Sequence, residues 1–324
     1  MSEDRRDSTN PGGRMRRAKL SSIERKTGGG LRIDRPIPDQ RAAFAKLMAL
    51  TEFGMPEHDA DELSVGGVAC LRLRPHARPE ARPSAPSGAR LLFVHGGGYS
   101  LGSPATHRPL VARIAEALGR EALLPDYRLA PEHPCPAGLA DVLAVWRALP
   151  EAERRATILA GDSAGGGLAL AAAMSLRDAG EPLPAGLVLL SPWTDLSVSG
   201  ESVEALAEHE IMLTRRGLEF MAGRYLGELA PTDVRASPLF GDFAGLPPLL
   251  VQVGGHEVLL DDARRAAARA EAAGVPTHLQ VWEREHHVFQ AMPLRASAQA
   301  AIAAIAEWVG LLGPSQPRPQ APRS

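Results

Sequence analysis

Cysteine is scarce: the 324-residue chain has two, Cys70 and Cys135, far apart. That excludes a disulfide framework and a metal-spaced pair, and leaves two reduced thiols in a reducing compartment. Aromatic residues make up only 4%. No apolar run is long enough to cross a bilayer, so no membrane span is expected. Arg5-Arg6 has no apolar segment behind it. This excludes a secretory or twin-arginine leader and points to the cytoplasm. Net charge is only −2, too small for bulk attraction to nucleic acid or an anionic membrane, so neither is expected as a partner.

Hydrophobic residues at 44% and charged residues at 23% are ordinary globular values. The length suits one α/β domain with an excursion. Residues 1–30 are polar and end in three glycines. They are expected to be a disordered tail, in which Arg14, Arg16, Arg17 and Lys19 form a solvated basic cluster. The Pro- and Ser-rich residues 313–324 are expected to be disordered likewise. Residues 38–52 read as an amphipathic helix with Phe44, Leu47, Met48 and Leu50 on its apolar side. Residues 65–73 alternate loosely and read as one strand. Residues 74–88 hold four prolines and read as an exposed loop.

From residue 91 a regular rhythm begins. Strand patterns at 91–94, 121–125, 157–160, 187–190, 249–253 and 277–282 alternate with helical patterns at 107–118, 139–149, 164–177, 261–273 and 296–312. Such alternation predicts a mostly parallel sheet covered by helices on both faces. Residues 196–235 break the rhythm, with helical pieces such as 215–225 and no good strand. They read as an insertion.

Within this frame lies Gly161-Asp162-Ser163-Ala164-Gly165, between an apolar strand and an Ala/Leu-rich helix. Strand, G-x-S-x-G, helix is a nucleophile-elbow arrangement. The two glycines relieve the collision that side chains would make at so sharp a turn. Ser163 would stand at its tip, but a serine hydroxyl needs a base, a group to orient that base, and donors for the oxyanion. His95-Gly96-Gly97-Gly98-Tyr99 follows a buried strand, and its glycines expose backbone N–H groups. Gly97 and Gly98, with Ala164, are the candidate oxyanion donors. The base is expected after the last strand, at His286 or His287. The acid is expected after the strand at 249–253, among Glu257, Asp261 and Asp262. The two aspartates sit where a helix starts and are explained as caps. Glu257 lies in the loop itself, and Ser163, Glu257, His287 follow the chain order nucleophile, acid, histidine.

Taken together, HGGGY at 95–99, DYRLAPEHPCP at 126–136, GDSAG at 161–165, SPW at 191–193 and ASPL at 236–239 are specific as a set. They resemble the bacterial hormone-sensitive-lipase-like esterases, family IV or "α/β-hydrolase fold 3", over roughly residues 35–310. The resemblance implies an α/β-hydrolase fold with an eight-stranded-type, mostly parallel sheet. It also implies a helical cap built from about 31–60 and 196–235 on a single domain spanning 31–312. It implies a Ser–His–acid carboxylester hydrolase with no metal or cofactor, acting on a small-molecule ester. A homodimer stays open. By the H-x-F pattern the histidine becomes His287, since Phe289 follows two later. The oxyanion donors become Gly97, Gly98 and Ala164. The family usually has aspartate as the acid; here an ungapped count back from Gly274 places Glu257 there. Asp126, Arg128 and Glu132 are expected to be structural, in a charged loop pinned under the oxyanion strand. His256 is expected to lie outside the triad.

The function expected is hydrolysis of short to medium acyl esters through an acyl-serine. A lactone or N-acetyl hydrolase on the same triad is the near alternative, and a non-catalytic small-molecule receptor the distant one.

Overall fold

Short runs rich in leucine and valine become buried strands because helices cover both of their faces. The computed structural model describes residues 35–76 and 90–312. The tails expected at 1–30 and 313–324, and the proline loop from 77 on, lie outside the described residues. One sheet of eight strands runs through the rest: β1 His58–Val65, β2 Val68–Pro75, β3 Arg90–Val94, β4 Glu121–Pro125, β5 Ile158–Asp162, β6 Gly186–Leu190, β7 Leu249–Gly254 and β8 Thr277–Trp282. Their order is β1-β2-β4-β3-β5-β6-β7-β8. β1 with β2 and β2 with β4 are antiparallel, and every other pair is parallel.

Alternation along the strands sorts the core into two faces. Leu92, Val94 and Leu159 pack with Leu139, Leu168 and Ala263, from the helices Ala137–Ala148, Ala164–Asp178 and Leu260–Ala272. Leu91, Phe93 and Ile158 pack with Leu110, Ile114, Ile302 and Ile305, from Pro104–Leu118 and Ala296–Leu311. β5 lies between β3 and β6, with Gly161 opposite Val94 on one side and Leu189 on the other. Because these strands are parallel, the loops after β3, β5, β7 and β8 gather at one edge of the sheet, where open α/β sheets place their ligands.

The first sheet segment differs from expectation. The strand expected at 65–73 is present over 68–73 as part of β2, but Val65 ends β1 and the chain turns at Gly66 and Gly67, with φ of 61° and 83°. β1 is half solvated along its length, so its sequence HDADELSV carries no apolar signal. It also starts at His58, so residues 58–60 belong to the sheet rather than to the helical segment before it. That segment is a helix over Ile37–Ala49 with a 3-10 turn at Leu50–Glu52. Its expected apolar side splits: Phe44 is buried, whereas Leu47 and Leu50 are 46% and 74% exposed. The helix rests on the mouth of a cavity, so one edge is covered and the other faces solvent.

The stretch between β6 and β7 contains helices Ser202–Ala205 and Arg215–Leu226 and, as expected, no strand. Arg224 Nη1 donates to Gln40 Oε1 at 3.2 Å, joining this stretch to the N-terminal helix. Arg41 of that helix donates to both carboxylate oxygens of Glu132 and to the carbonyls of Ser100 and Ala130. Glu132 therefore anchors the N-terminal helix. Tyr127 of the same loop donates to the carbonyl of His95 at 2.7 Å, and the Arg128 guanidinium pairs with Asp141. These contacts pin the loop beneath the segment after β3.

Candidate active site

Ser163 has φ 52° and ψ −122°, a strained backbone for a residue with a side chain. Its surroundings hold it there. Its N–H donates to Leu190 O at 2.8 Å, and its carbonyl accepts from Trp193 N at 2.9 Å. A Cβ on Gly161 would stand 2.3 Å from Gly165 O, and one on Gly165 would stand 2.1 Å from Val94 O. Only glycine fits either place. The crowding extends to Gly167, where a Cβ would meet Trp193 O at 2.1 Å, a constraint the five-residue motif does not announce.

His287, on the loop after β8, brings Nε2 to 3.0 Å from Ser163 Oγ. Its Nδ1 lies 3.2 Å from Glu257 Oε2, on the loop after β7. His287 is 5% exposed and Glu257 fully buried. Burial alone would lower the pKa of His287, but the hydrogen bond and charge of Glu257, with the charges of Glu210 and Asp162, outweigh it and hold the imidazole above its ordinary value. Asp261 and Asp262 are elsewhere. Neither caps its own helix, contrary to expectation. Asp261 accepts from Ser202 N at 2.8 Å, and buried Asp262 accepts from Thr194 N and Asp195 N at 2.7 and 2.8 Å. Each ties a loop down instead. His286 and His256 are outside the line, their rings 5.9 Å apart, with His209 stacked on His256 at 4.8 Å.

The glycine run after β3 faces the serine. Gly97 and Gly98 have φ of 116° and 60°. A Cβ on Gly98 would stand 2.1 Å from Met221 Sδ. Among the described residues nothing accepts a hydrogen bond from the N–H groups of Gly97, Gly98 or Ala164, and Gly97 and Gly98 line the same cavity as Ser163. The run is held from below. Asp162 Oδ1 accepts from Gly96 N at 2.9 Å, and its Oδ2 lies 3.4 Å from His107 Nε2. Burial opposes the charge of Asp162, but His107 and the Gly96 N–H prevail and keep its carboxyl below the usual range. His95 stacks on Tyr127 at 4.3 Å. Burial drives its pKa down to about 3, so it stays neutral. His107 had no distinguishing position in the sequence, and only the fold brings it to Asp162.

Above the serine opens a cavity of about 620 Å³, counting the space at its mouth. Phe44 and Met48 come from the N-terminal helix, Met212, Leu213, Leu218 and Met221 from the stretch between β6 and β7. Trp193 and Met292 complete the apolar wall, and Ser163, His287, Asp162 and His107 form its polar floor. A hydroxyl, an imidazole and a carboxylate in line, with free N–H donors and an apolar chamber, can carry acyl transfer to water.

Fold and site thus define a hydrolase of the α/β class. The family model described as "alpha/beta hydrolase fold" matches residues 91–291, and the chain belongs to that family. It is 47% identical to an acetyl-hydrolase of Streptomyces hygroscopicus over 211 residues, 64% of this chain and 70% of that one. It is 39% identical to an esterase of Acinetobacter venetianus over 227 residues, 68% and 75% of the two chains. Among solved structures it resembles an esterase from the bacterial hormone-sensitive lipase family, with a TM-score of 0.79, 39% identity and coverage of 86% and 92%. The protein is an esterase-type hydrolase. Among the described residues, no helix is long and apolar enough to cross a membrane.

Proposed function

We propose that the protein hydrolyses short to medium acyl esters through an acyl-serine intermediate. The single observation that carries this is the continuous line Ser163 Oγ, His287, Glu257, with spacings of 3.0 and 3.2 Å, on the floor of an apolar cavity. His287 Nε2 takes the proton of Ser163 as Oγ attacks the ester carbonyl. The oxyanion so formed accepts from the N–H groups of Gly97, Gly98 and Ala164. Glu257 holds the ring and stabilises the imidazolium. The intermediate collapses, the C–O bond to the alcohol breaks, and His287 returns its proton to the leaving oxygen. Water then enters, gives a proton to His287 and attacks the acyl carbon. The second collapse restores the serine hydroxyl and releases the acid.

The helix Ile37–Ala49 and the stretch between β6 and β7 act as a cap that bounds the acyl chain. The Streptomyces relative's name, acetyl-hydrolase, favours a small acyl group. Labelling with a serine-reactive phosphonate, alongside turnover of p-nitrophenyl esters of graded length, tests the function. One label per chain and turnover are expected, both absent from Ser163→Ala. An unlabelled wild-type protein without turnover would leave the receptor alternative standing.

A further inference from the structure

A third carboxylate stands behind the site without belonging to the line of three. Glu210 lies between the helices Ser202–Ala205 and Arg215–Leu226. Its Oε1 accepts from the N–H groups of Ile211, Met212 and Leu213 at 2.9, 2.8 and 3.2 Å. Its Oε2 reaches across to accept from Val258 N at 3.1 Å. Met212 and Leu213 are cavity wall, and Val258 is the residue after Glu257. One side chain thus joins the wall that would meet an acyl chain to the loop that holds the histidine's partner. Ser202, earlier in the same stretch, also reaches this loop, its Oγ donating to Val258 O at 2.7 Å, but Ser202 is not part of the cavity wall. Four N–H groups on one carboxylate are a geometry that a neutral amide cannot reproduce, since its NH₂ end has no lone pair to offer.

The charge also matters. The charges of three carboxylates act on His287: Glu257 from the loop after β7, Glu210 from the insertion and Asp162 from the elbow. Glu210 is the one with no direct hydrogen bond to the ring or the glycine run among the described residues. The histidines nearest to these loops are His209, His256 and His286, with Arg284 and Glu285 beside His256. His256 is held below its ordinary value by burial and by the other two histidines, so its titration falls on the far side of the ordinary imidazole value from that of His287.

We propose that Glu210 is a positioning residue of the ester hydrolysis: its carboxylate clamps the cavity wall to the loop carrying Glu257. The proposal rests on the serine–histidine function above. A purely structural tie would affect folding and KM but leave the titration of His287 where it is. A charged clamp must move both.

The test compares wild type, Glu210→Gln and Glu210→Asp in pH profiles of kcat/KM on p-nitrophenyl acetate and octanoate, with phosphonate labelling of each. Glu210→Gln removes the charge and half of the acceptors. Its acid limb should move about half a pH unit lower, with KM for octanoate raised several-fold. Glu210→Asp keeps the charge but is too short to span both loops. Its limb should stay and its octanoate KM should rise. If Glu210→Gln does not fold, the aspartate variant decides: a wild-type KM with a wild-type limb overturns the proposal. An unmoved limb in folded, labelled Glu210→Gln overturns it while the esterase function stands. A wild-type protein that neither turns over ester nor takes the label overturns both.

Discussion

At the level of single residues the site is a matter of two short distances and a shifted imidazole. Ser163→Ala should abolish ester turnover and leave the fold intact, because alanine is smaller and the glycines around the turn are untouched. Turnover assays beside a thermal melt check both halves. Glu257→Gln keeps the volume but loses the charge that favours the imidazolium, so turnover should fall about 10⁴-fold. A variant that retained most activity would exclude Glu257 as the acid. The pH profile follows from His287. A general base works when deprotonated, and its pKa lies above the ordinary imidazole value. The acid limb of kcat/KM should therefore lie above about 6.5. On stability the same shift acts in the opposite sense: it contributes below the unfolded pKa and is lost as pH rises through the folded one. Much of this was legible in the sequence, since the chemistry needs residue types that recur in a fixed chain order. Ser163, His287 and Glu257 could be named from motif and position. The roles of Asp162 and Glu210 could not, because no motif or chain-order rule points to their partners, Gly96 and Val258.

Among the elements, the helix Leu260–Ala272 shows how a local explanation can mislead. Two aspartates at a helix start suggest capping, yet Asp262 turns away and accepts the N–H groups of Thr194 and Asp195. Burial, with the nearby charge of Asp195, pushes its pKa up to about 7 against those two donors. The sign follows directly. Between about pH 4 and 7 the unfolded chain has released this proton and the folded chain still holds it, so Asp262 makes stability fall as pH rises. The slope from one such group is at most about 1.4 kcal/mol per pH unit. Asp262→Asn keeps an oxygen for the two N–H groups and removes the titration. Urea unfolding at pH 5 and 7 should show a smaller loss of stability in the variant than in the wild type. Equal losses would mean that the Asp262 carboxyl titrates in its usual range. Strand β1 escaped the sequence for a different reason. An edge strand that is half solvated needs no apolar alternation, and the pattern that reveals a buried strand is absent.

For the molecule as a whole, the sheet fixes the chemistry and the segments outside it set what can enter. The six parallel strands carry the serine, the acid and the histidine to one edge, and their apolar runs made that part of the fold readable. The cavity wall was less so. Phe44 and Met48 reach it from a helix whose apolar residues are otherwise largely exposed, and Met212, Leu213 and Met221 from a stretch whose sequence only announces that it is not strand. Those residues bear on the substrate. The chamber over Ser163 is walled mainly by apolar side chains, as small-ligand sites are. Four of its wall residues are methionines, Met48, Met212, Met221 and Met292, whose unbranched side chains adapt to acyl groups of different shape. Turnover of p-nitrophenyl esters should therefore be broad from acetyl to octanoyl and poor for palmitoyl, whose tail would have to leave through the mouth. Met292 is 38% exposed while lining the cavity, which places it at that mouth. Met292→Ala should accordingly widen the exit and raise the palmitoyl rate relative to the acetyl rate, with acetyl turnover changed less than twofold because Ser163 and His287 are not touched. Rates that climb steadily towards emulsified long-chain esters in the wild-type protein, with activation at an oil–water interface, would show instead that the cap opens wide and that the closed chamber does not set the limit.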